Sequence, residues 1–224
     1  MREEKLRELY NLCDSLQRLL DETYTGEKRR LRFKRPQETK TLQQIAQTIK
    51  ECHKCDLGKT RTKSVPGEGF ENARLLVVGE GPGRDEDTSG RPFVGQAGNY
   101  FETWMKAINF SRDRDYFITN IVKCRPPENR NPLPEEIATC FPYLKEQIKL
   151  IKPQVILCLG KVAAHALLDL EAPLKAMRLG AYDYQGIPVV VTYHPAAVLR
   201  NFDLRGAVWQ DIKKVVALLE DTGR

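Results

Sequence analysis

The 224-residue chain has no uninterrupted apolar run approaching the 18 or more residues of a membrane span, so a membrane protein is not expected. Its first residues, Met1-Arg2-Glu3-Glu4-Lys5, lack the apolar core of a secretory signal, and export is not expected either. Internal repeats and low-complexity tracts are also missing, which argues against a solenoid or a largely disordered chain. Neither charge sign dominates: 36 Lys and Arg face 30 Asp and Glu, an excess that permits a polyanionic partner without requiring one. The expected setting is therefore the cytoplasm. In that reducing compartment six cysteines, at 13, 52, 55, 124, 140 and 158, point to metal ligands, catalytic thiols or core residues, not to a disulfide framework.

What is present divides at about residue 40. Leu6, Leu9, Cys13, Leu16 and Leu20 recur at helical spacing within residues 1–23, and an amphipathic helix is expected there. A basic linker follows, Glu27 to Pro36, with six basic residues against one acidic; it suits either a solvated hinge or an arm that tracks phosphates. Residues 1–40 thus form an extension to a domain at 41–224.

From residue 72 onward, short β-branched runs alternate with helical patterns. Residues 74–78, 116–119, 154–159 and 187–192 have the composition of buried strands, while 97–108, 134–151, 161–168 and 207–219 have that of helices. The helix at 134 opens on Pro-Glu-Glu, which suits a first turn and its dipole. Such alternation predicts an α/β fold with a largely parallel sheet of four strands covered on both faces, in which ligands bind beyond the carboxyl ends of the strands. Those ends carry Gly79-Glu80-Gly81-Pro82-Gly83, Asn120, Gly160 and Tyr193-His194-Pro195.

Cys52 and Cys55 form a Cys-x2-Cys pair, and Cys124 and Cys140 follow the second strand. Four thiolates in two pairs can enclose a tetrahedral metal or an iron-sulfur cluster, and spacing does not choose between zinc and iron. Cys13 and Cys158 lie on apolar stripes and are expected in cores; His53 is a spare candidate ligand, and His165 is expected to be structural.

Three segments carry a resemblance. Gly79 to Asp87 with Gly90-Arg91-Pro92-Phe93-Val94-Gly95, Thr119-Asn120-Ile121-Val122-Lys123-Cys124-Arg125-Pro126-Pro127, and His194-Pro195-Ala196-Ala197-Val198-Leu199-Arg200 resemble the three motifs of the family 4 uracil-DNA glycosylases. The likeness spans about residues 45 to 219. It implies a three-layer α/β/α sandwich around a four-stranded parallel sheet, a 4Fe-4S cluster on Cys52, Cys55, Cys124 and Cys140, and uracil-containing DNA as partner to a monomeric enzyme inside a bacterial or archaeal cell. Gly81 stands where the family often has Ala, and glycine also lets the backbone approach a flat base. The Gly-Gln-Asp-Pro-Tyr motif that carries the water-activating Asp of family 1 enzymes is absent.

With that resemblance, Phe93 is expected either to stack on an extruded uracil or to be an ordinary core aromatic. Asn120 would read the base edge, and His194 would donate to uracil O2. Glu80, then Glu86, are the candidates for positioning water; each could instead brace the Gly-Pro-Gly loop, and Glu86 could help exclude the thymine methyl. Pro195, Ala196, Leu199 and Arg200 would form a loop pressing the minor groove, and Lys123, Arg125 and Arg130 would meet phosphates. No Lys is placed to form a Schiff base, so a monofunctional glycosylase is expected. Two other readings remain. One is a related iron-sulfur protein that binds or crosslinks uracil-DNA, although its Lys-Arg-Arg-Ile-His loop is replaced here by residues 127–132. The other is a non-catalytic DNA-binding module.

Overall fold

The computed structural model describes residues 7–9, 11–16, 18 and 40–221. The chain divides into two compact units, Met1–Lys40 and Thr41–Arg224. In the first, the described residues 7–9, 11–16 and 18 are helical and Lys40 is not. The basic segment 27–36 lies outside the described residues.

In the second unit the elements run α1 (Leu42–Lys50), α2 (Leu57–Thr60), β1 (Glu68–Gly69), β2 (Leu75–Gly79), α3 (Arg84–Ser89), α4 (Gln96–Ala107), β3 (Tyr116–Asn120), α5 (Pro134–Ile151), β4 (Val155–Leu159), α6 (Lys161–Leu168), α7 (Leu174–Met177), β5 (Tyr182–Tyr184), β6 (Ile187–Thr192), α8 (Pro195–Arg200) and α9 (Arg205–Asp221). The sheet order is β1-β3-β2-β4-β6-β5. Its inner four strands are parallel, as the alternating pattern requires. The sheet nevertheless has six strands, not four, because β1 and β5 add short antiparallel edges. The β5–β6 edge is a hairpin whose two-residue turn, Gln185-Gly186, takes φ of 54° and 85°, the twist that tight hairpins favour.

Side chains of the central strands alternate between two cores. Leu76, Val78, Ile156 and Cys158 point to the face covered by α1, α5 and α6. Leu75, Val77, Val155 and Leu157 point to the face covered by α4, α8 and α9. Every residue of β2, β3 and β4 is buried, so both faces are sealed and the three-layer architecture follows. The crossover leaving β2 runs through α4 on one face to β3; the crossover leaving β4 runs through α6 on the other face toward β6. A crevice therefore opens above the carboxyl ends of β2 and β4, where the chain changes direction across the sheet. Among the described residues, no helix is long and apolar enough to cross a membrane.

One buried ion pair ties α9 to the segment after α7. Arg178 Nε donates to Asp211 Oδ2 at 2.7 Å, and the guanidinium lies 4.6 Å from the centre of the Tyr193 ring. Both side chains are almost fully buried, at 8% and 1% exposure. Asp211→Ala strands the guanidinium and should lower stability by about 3–5 kcal/mol in chemical denaturation, whereas the paired replacement Arg178→Met with Asp211→Leu should lower it much less. Equal losses in the two proteins would show that the pair's geometry is not what matters.

Candidate active site

The four parallel strands end level. Gly79 is paired with Asn120, Val78 with Cys158, and Leu159 with Thr192. Asn120 closes the outer strand β3 and His194 follows the outer strand β6, with β2 and β4 between them. Three strand spacings amount to about 14 Å, so the two side chains can serve one ligand only by leaning inward. Glycines at the ends of the two central strands make the room. A Cβ on Gly79 would collide with Asn120 Oδ1 and come within 2.6 Å of Phe93 Cζ. A Cβ on Gly160, whose φ is 93°, would lie 3.2 Å from His194 Cβ. The carboxamide thus rests on the end of β2, and the imidazole on the end of β4.

Glu80, Gly81, Phe93, Asn120, His194 and Arg200 line one cavity of about 430 Å³ at these strand ends. Asn120 is 1% exposed, and its Oδ1 has no hydrogen-bond partner among the described residues. A buried acceptor left open in this way costs about 1–3 kcal/mol, which a ligand donor would recover. His194 is in the opposite condition. Its Nδ1 accepts from the Ala196 backbone N–H at 3.2 Å. Burial pushes its pKa down to about 4, the Arg200 cation adds to the fall, and Glu86 opposes it. A neutral ring that accepts at Nδ1 carries its proton on Nε2, where it can donate.

Phe93 is buried, adopts a φ of 53°, and places its ring 5.9 Å from that of His194 and 5.8 Å from that of Phe101. The backbone is held in this left-handed conformation by Arg112, which donates to the carbonyls of Pro92 at 2.9 Å and Phe93 at 3.3 Å and is itself paired with Glu102 at 2.6 Å. Sequence reasoning missed Arg112. It stands in the loop before β3, outside every motif, and nothing local marks it.

The two carboxylates differ. Burial alone raises the Glu80 carboxyl above its ordinary range. Glu86 has both oxygens engaged, Oε2 with Gly83 N–H at 3.1 Å and Oε1 with the N–H groups of Val94 and Gly95 at 2.9 Å each. It therefore braces the two loops flanking the cavity, the second of the roles expected for it. The segment from Pro195 is the short helix α8 and not a loop: Pro195 is buried, Ala196 and Leu199 are half-buried, and Arg200 is exposed. Arg125 is half-buried, with Nε on Asn129 Oδ1 at 2.8 Å, and Arg130 makes a two-pronged pair with Glu136.

Lys123 is a correction. Expected at phosphates, it is 1% exposed, and its ammonium is enclosed by Thr119 Oγ1, the Asn120 carbonyl and Gln147 Oε1. No phosphate can reach it.

Behind it, Cys52, Cys55, Cys124 and Cys140 all line a second, smaller cavity. Arg61 Nη1 donates to Cys124 Sγ at 3.0 Å, and the Lys123 backbone N–H donates to Cys140 Sγ at 3.3 Å. As free thiols, Cys124 and Cys140 are raised by burial, the latter to about 11. Among the described residues no three His, Cys, Asp or Glu side chains gather around a single metal ion. Cys158 is buried in β4, His53 is exposed, and His165 Nε2 lies 2.8 Å from the Ala172 carbonyl, away from both cavities.

The family model for the uracil DNA glycosylase superfamily matches residues 66–213, a span that holds the whole strand-end cavity. The chain belongs to this superfamily. It is similar to a type-4 uracil-DNA glycosylase of Archaeoglobus fulgidus, 44% identical over 183 residues that cover 78% of this chain and 92% of that protein. It is likewise similar to type-4 uracil-DNA glycosylases of Pyrobaculum aerophilum, 45% identical over 76% of this chain and 91% of the relative, and of Sulfurisphaera tokodaii, 41% identical over 78% and 83%.

For this superfamily member, nitrogen-15 NMR should find His194 neutral and protonated on Nε2 across pH 5.5–8; a titration step near 6.5, the ordinary histidine value, would contradict the geometry. The sign of the linked effect follows. Between about pH 6.5 and 4 an unfolded histidine binds a proton that the folded one refuses, so His194 makes the fold less stable as the pH falls through that window.

Proposed function

We propose that this protein removes uracil from DNA by hydrolysing the N-glycosidic bond of an extruded deoxyuridine, leaving an abasic site for repair. The observation that carries this reading is the Asn120 carboxamide, whose Oδ1 has no partner among the described residues, lining the same cavity as the neutral His194 ring. A base paired and stacked in a duplex is out of reach of such a cavity, so the nucleotide must be turned out of the helix first. Asn120 then accepts from uracil N3–H and donates from its amide to O4. Cytosine presents a bare N3 and an amine at those positions, so its entry would set like groups against like in a buried site, a mismatch that discriminates strongly. Phe93 offers a ring at the cavity wall for the base to pack on, and the Gly81 backbone lets the base approach closely.

As the bond from N1 to C1′ breaks, the electron pair goes to the uracil ring and charge builds on O2. His194 Nε2–H, fixed by its Ala196 bond, stabilises that oxygen more in the transition state than in the ground state. The sugar becomes an oxocarbenium-like electrophile, and a water oriented by Glu80 adds at C1′ and gives up one proton, which balances the charge of the departed uracil anion. Glu86 contributes by holding the loops in place. Leu199 and Arg200 on α8 are suited to fill the gap in the duplex and meet its backbone. No lysine amine joins the sugar, so the strand is left intact. The reading places a monomeric enzyme with the DNA of the cell interior.

The second cavity fits an iron-sulfur cluster held by Cys52, Cys55, Cys124 and Cys140. Support comes from the donor set: four thiols around one space, two of them already receiving N–H donors. When bound, such a cluster would supply a cross-link between the 52–55 turn and the 124–140 segment.

The test is incubation with a uracil-containing oligonucleotide followed by alkali. Cleavage only after alkali is expected; no abasic site would end the proposal, and cleavage without alkali would end its monofunctional part. His194→Ala should keep DNA affinity and lose about 100-fold to 1000-fold in rate. Asn120→Asp should both slow uracil excision and weaken rejection of cytosine. Unchanged excision in both variants would mean that the cavity is not the active site.

A further inference from the structure

A lysine with no access to solvent is costly unless every proton of its ammonium has an acceptor. Lys123 meets that condition. Its three donors reach Thr119 Oγ1 at 2.6 Å, the Asn120 carbonyl at 2.7 Å and Gln147 Oε1 at 2.8 Å. Two of the acceptors are themselves anchored, since Thr119 Oγ1 and Gln147 Nε2 both donate to the Pro66 carbonyl, at 3.0 and 2.7 Å. The main chain of the same residue is fastened elsewhere: its N–H to Cys140 Sγ at 3.3 Å, and its carbonyl to Val65 N–H at 2.7 Å. Cys124 is the next residue.

The position of these bonds gives them a use. Asn120 is the last residue of β3, and beyond it the chain turns away toward Cys124. A carbonyl at the end of a strand needs an acceptor's partner from somewhere, and here it comes from a side chain three residues ahead. One residue thus grips the main chain of Asn120 with its side chain and the cysteine-lined cavity with its backbone. We propose that Lys123 is a positioning residue that ties the four-cysteine cavity to the carboxamide of Asn120, so that the order of the cysteine segment sets the angle at which the base edge is read. This rests on Asn120 being the uracil-reading group. The feature does not require the lysine to touch DNA, and its burial forbids that contact.

The experiment uses full-length protein carrying its iron, as wild type, Lys123→Met and Thr119→Val. Three quantities are measured: affinity for free uracil by ligand-observed NMR, affinity for an oligonucleotide with an abasic site, and iron content with visible absorption. Free uracil probes the carboxamide; abasic DNA lacks the base and does not. Lys123→Met should weaken free uracil about 10-fold while abasic-DNA affinity stays within about 2-fold and iron content is unchanged, and Thr119→Val should shift uracil affinity the same way by less. Unchanged uracil affinity in both variants would overturn the proposal. So would an equal loss of uracil and abasic-DNA affinity, which marks general loosening. Should Lys123→Met fail to fold, Thr119→Val decides alone: unaltered uracil affinity sinks the coupling. Failure of the underlying reading looks different, because wild-type protein would then neither release uracil from DNA nor bind it free.

Discussion

A buried amide oxygen with nothing to bond is the constraint around which the catalytic end of this molecule is arranged. Left to itself, Asn120 Oδ1 would turn toward a nearby N–H or toward water. The carboxamide is instead pinned against the end of β2, beside the Phe93 ring, and its own carbonyl is held by Lys123. Each restraint depends on another. Phe93 keeps its place because Arg112 takes hold of its carbonyl, and the adjoining loop keeps its place because Glu86 accepts the N–H groups of Val94 and Gly95. The free energy of the fold is used to keep one acceptor open.

The opposite wall of the cavity follows the same logic with reversed sign. His194 is held neutral by burial and by the Arg200 cation, and the bond from Ala196 leaves its proton on the nitrogen not otherwise engaged. A neutral donor suits a leaving group whose charge appears only as the bond breaks, since little interaction is gained before the transition state. A carboxamide and an imidazole therefore line one cavity from two strands that are not neighbours. The parallel sheet makes this possible: it delivers four strand ends at one level, and the glycines ending its two central strands let the outer residues reach over them.

Much of this could be seen in the sequence. Runs such as Val155 to Leu159 are uniformly apolar because both faces of the strand are buried, and α5 spans residues 134–151, where its Pro-Glu-Glu start and apolar periodicity set it. The edge strands escaped notice for physical reasons. β1 has only two residues, and β5 is a half-exposed Tyr-Asp-Tyr whose pairing depends on the Gln185-Gly186 turn. The placement of Asn120 and His194 at one cavity beyond the strand ends was legible, because such sheets open a crevice there. Lys123 was misjudged, since a positive charge near a DNA site suggests a phosphate, and the acceptors that bury it, Thr119 and Gln147, are 28 residues apart in the chain. Bracing by Glu86 was one of the roles its place beside the Gly-Pro-Gly loop suggested, whereas Arg112 was hidden because it acts on backbone carbonyls, which leave no trace in side-chain patterning.

The same distinction between side-chain pattern and backbone contact separates the two cavities. The cysteines are plain in the sequence, but the N–H donors from Arg61 and from Lys123 that engage Cys124 and Cys140 emerge only from the fold. The central claim concerns the other cavity, that Asn120 Oδ1 stays open for a pyrimidine N3–H. Its most direct test compares uracil with 3-methyluracil as competitors for the protein, because the methyl group deletes that one donor and leaves O2 and O4 in place. Uracil should compete and 3-methyluracil should be at least about 100-fold weaker, the mark of a buried acceptor denied its partner. Equal competition by the two would contradict the account.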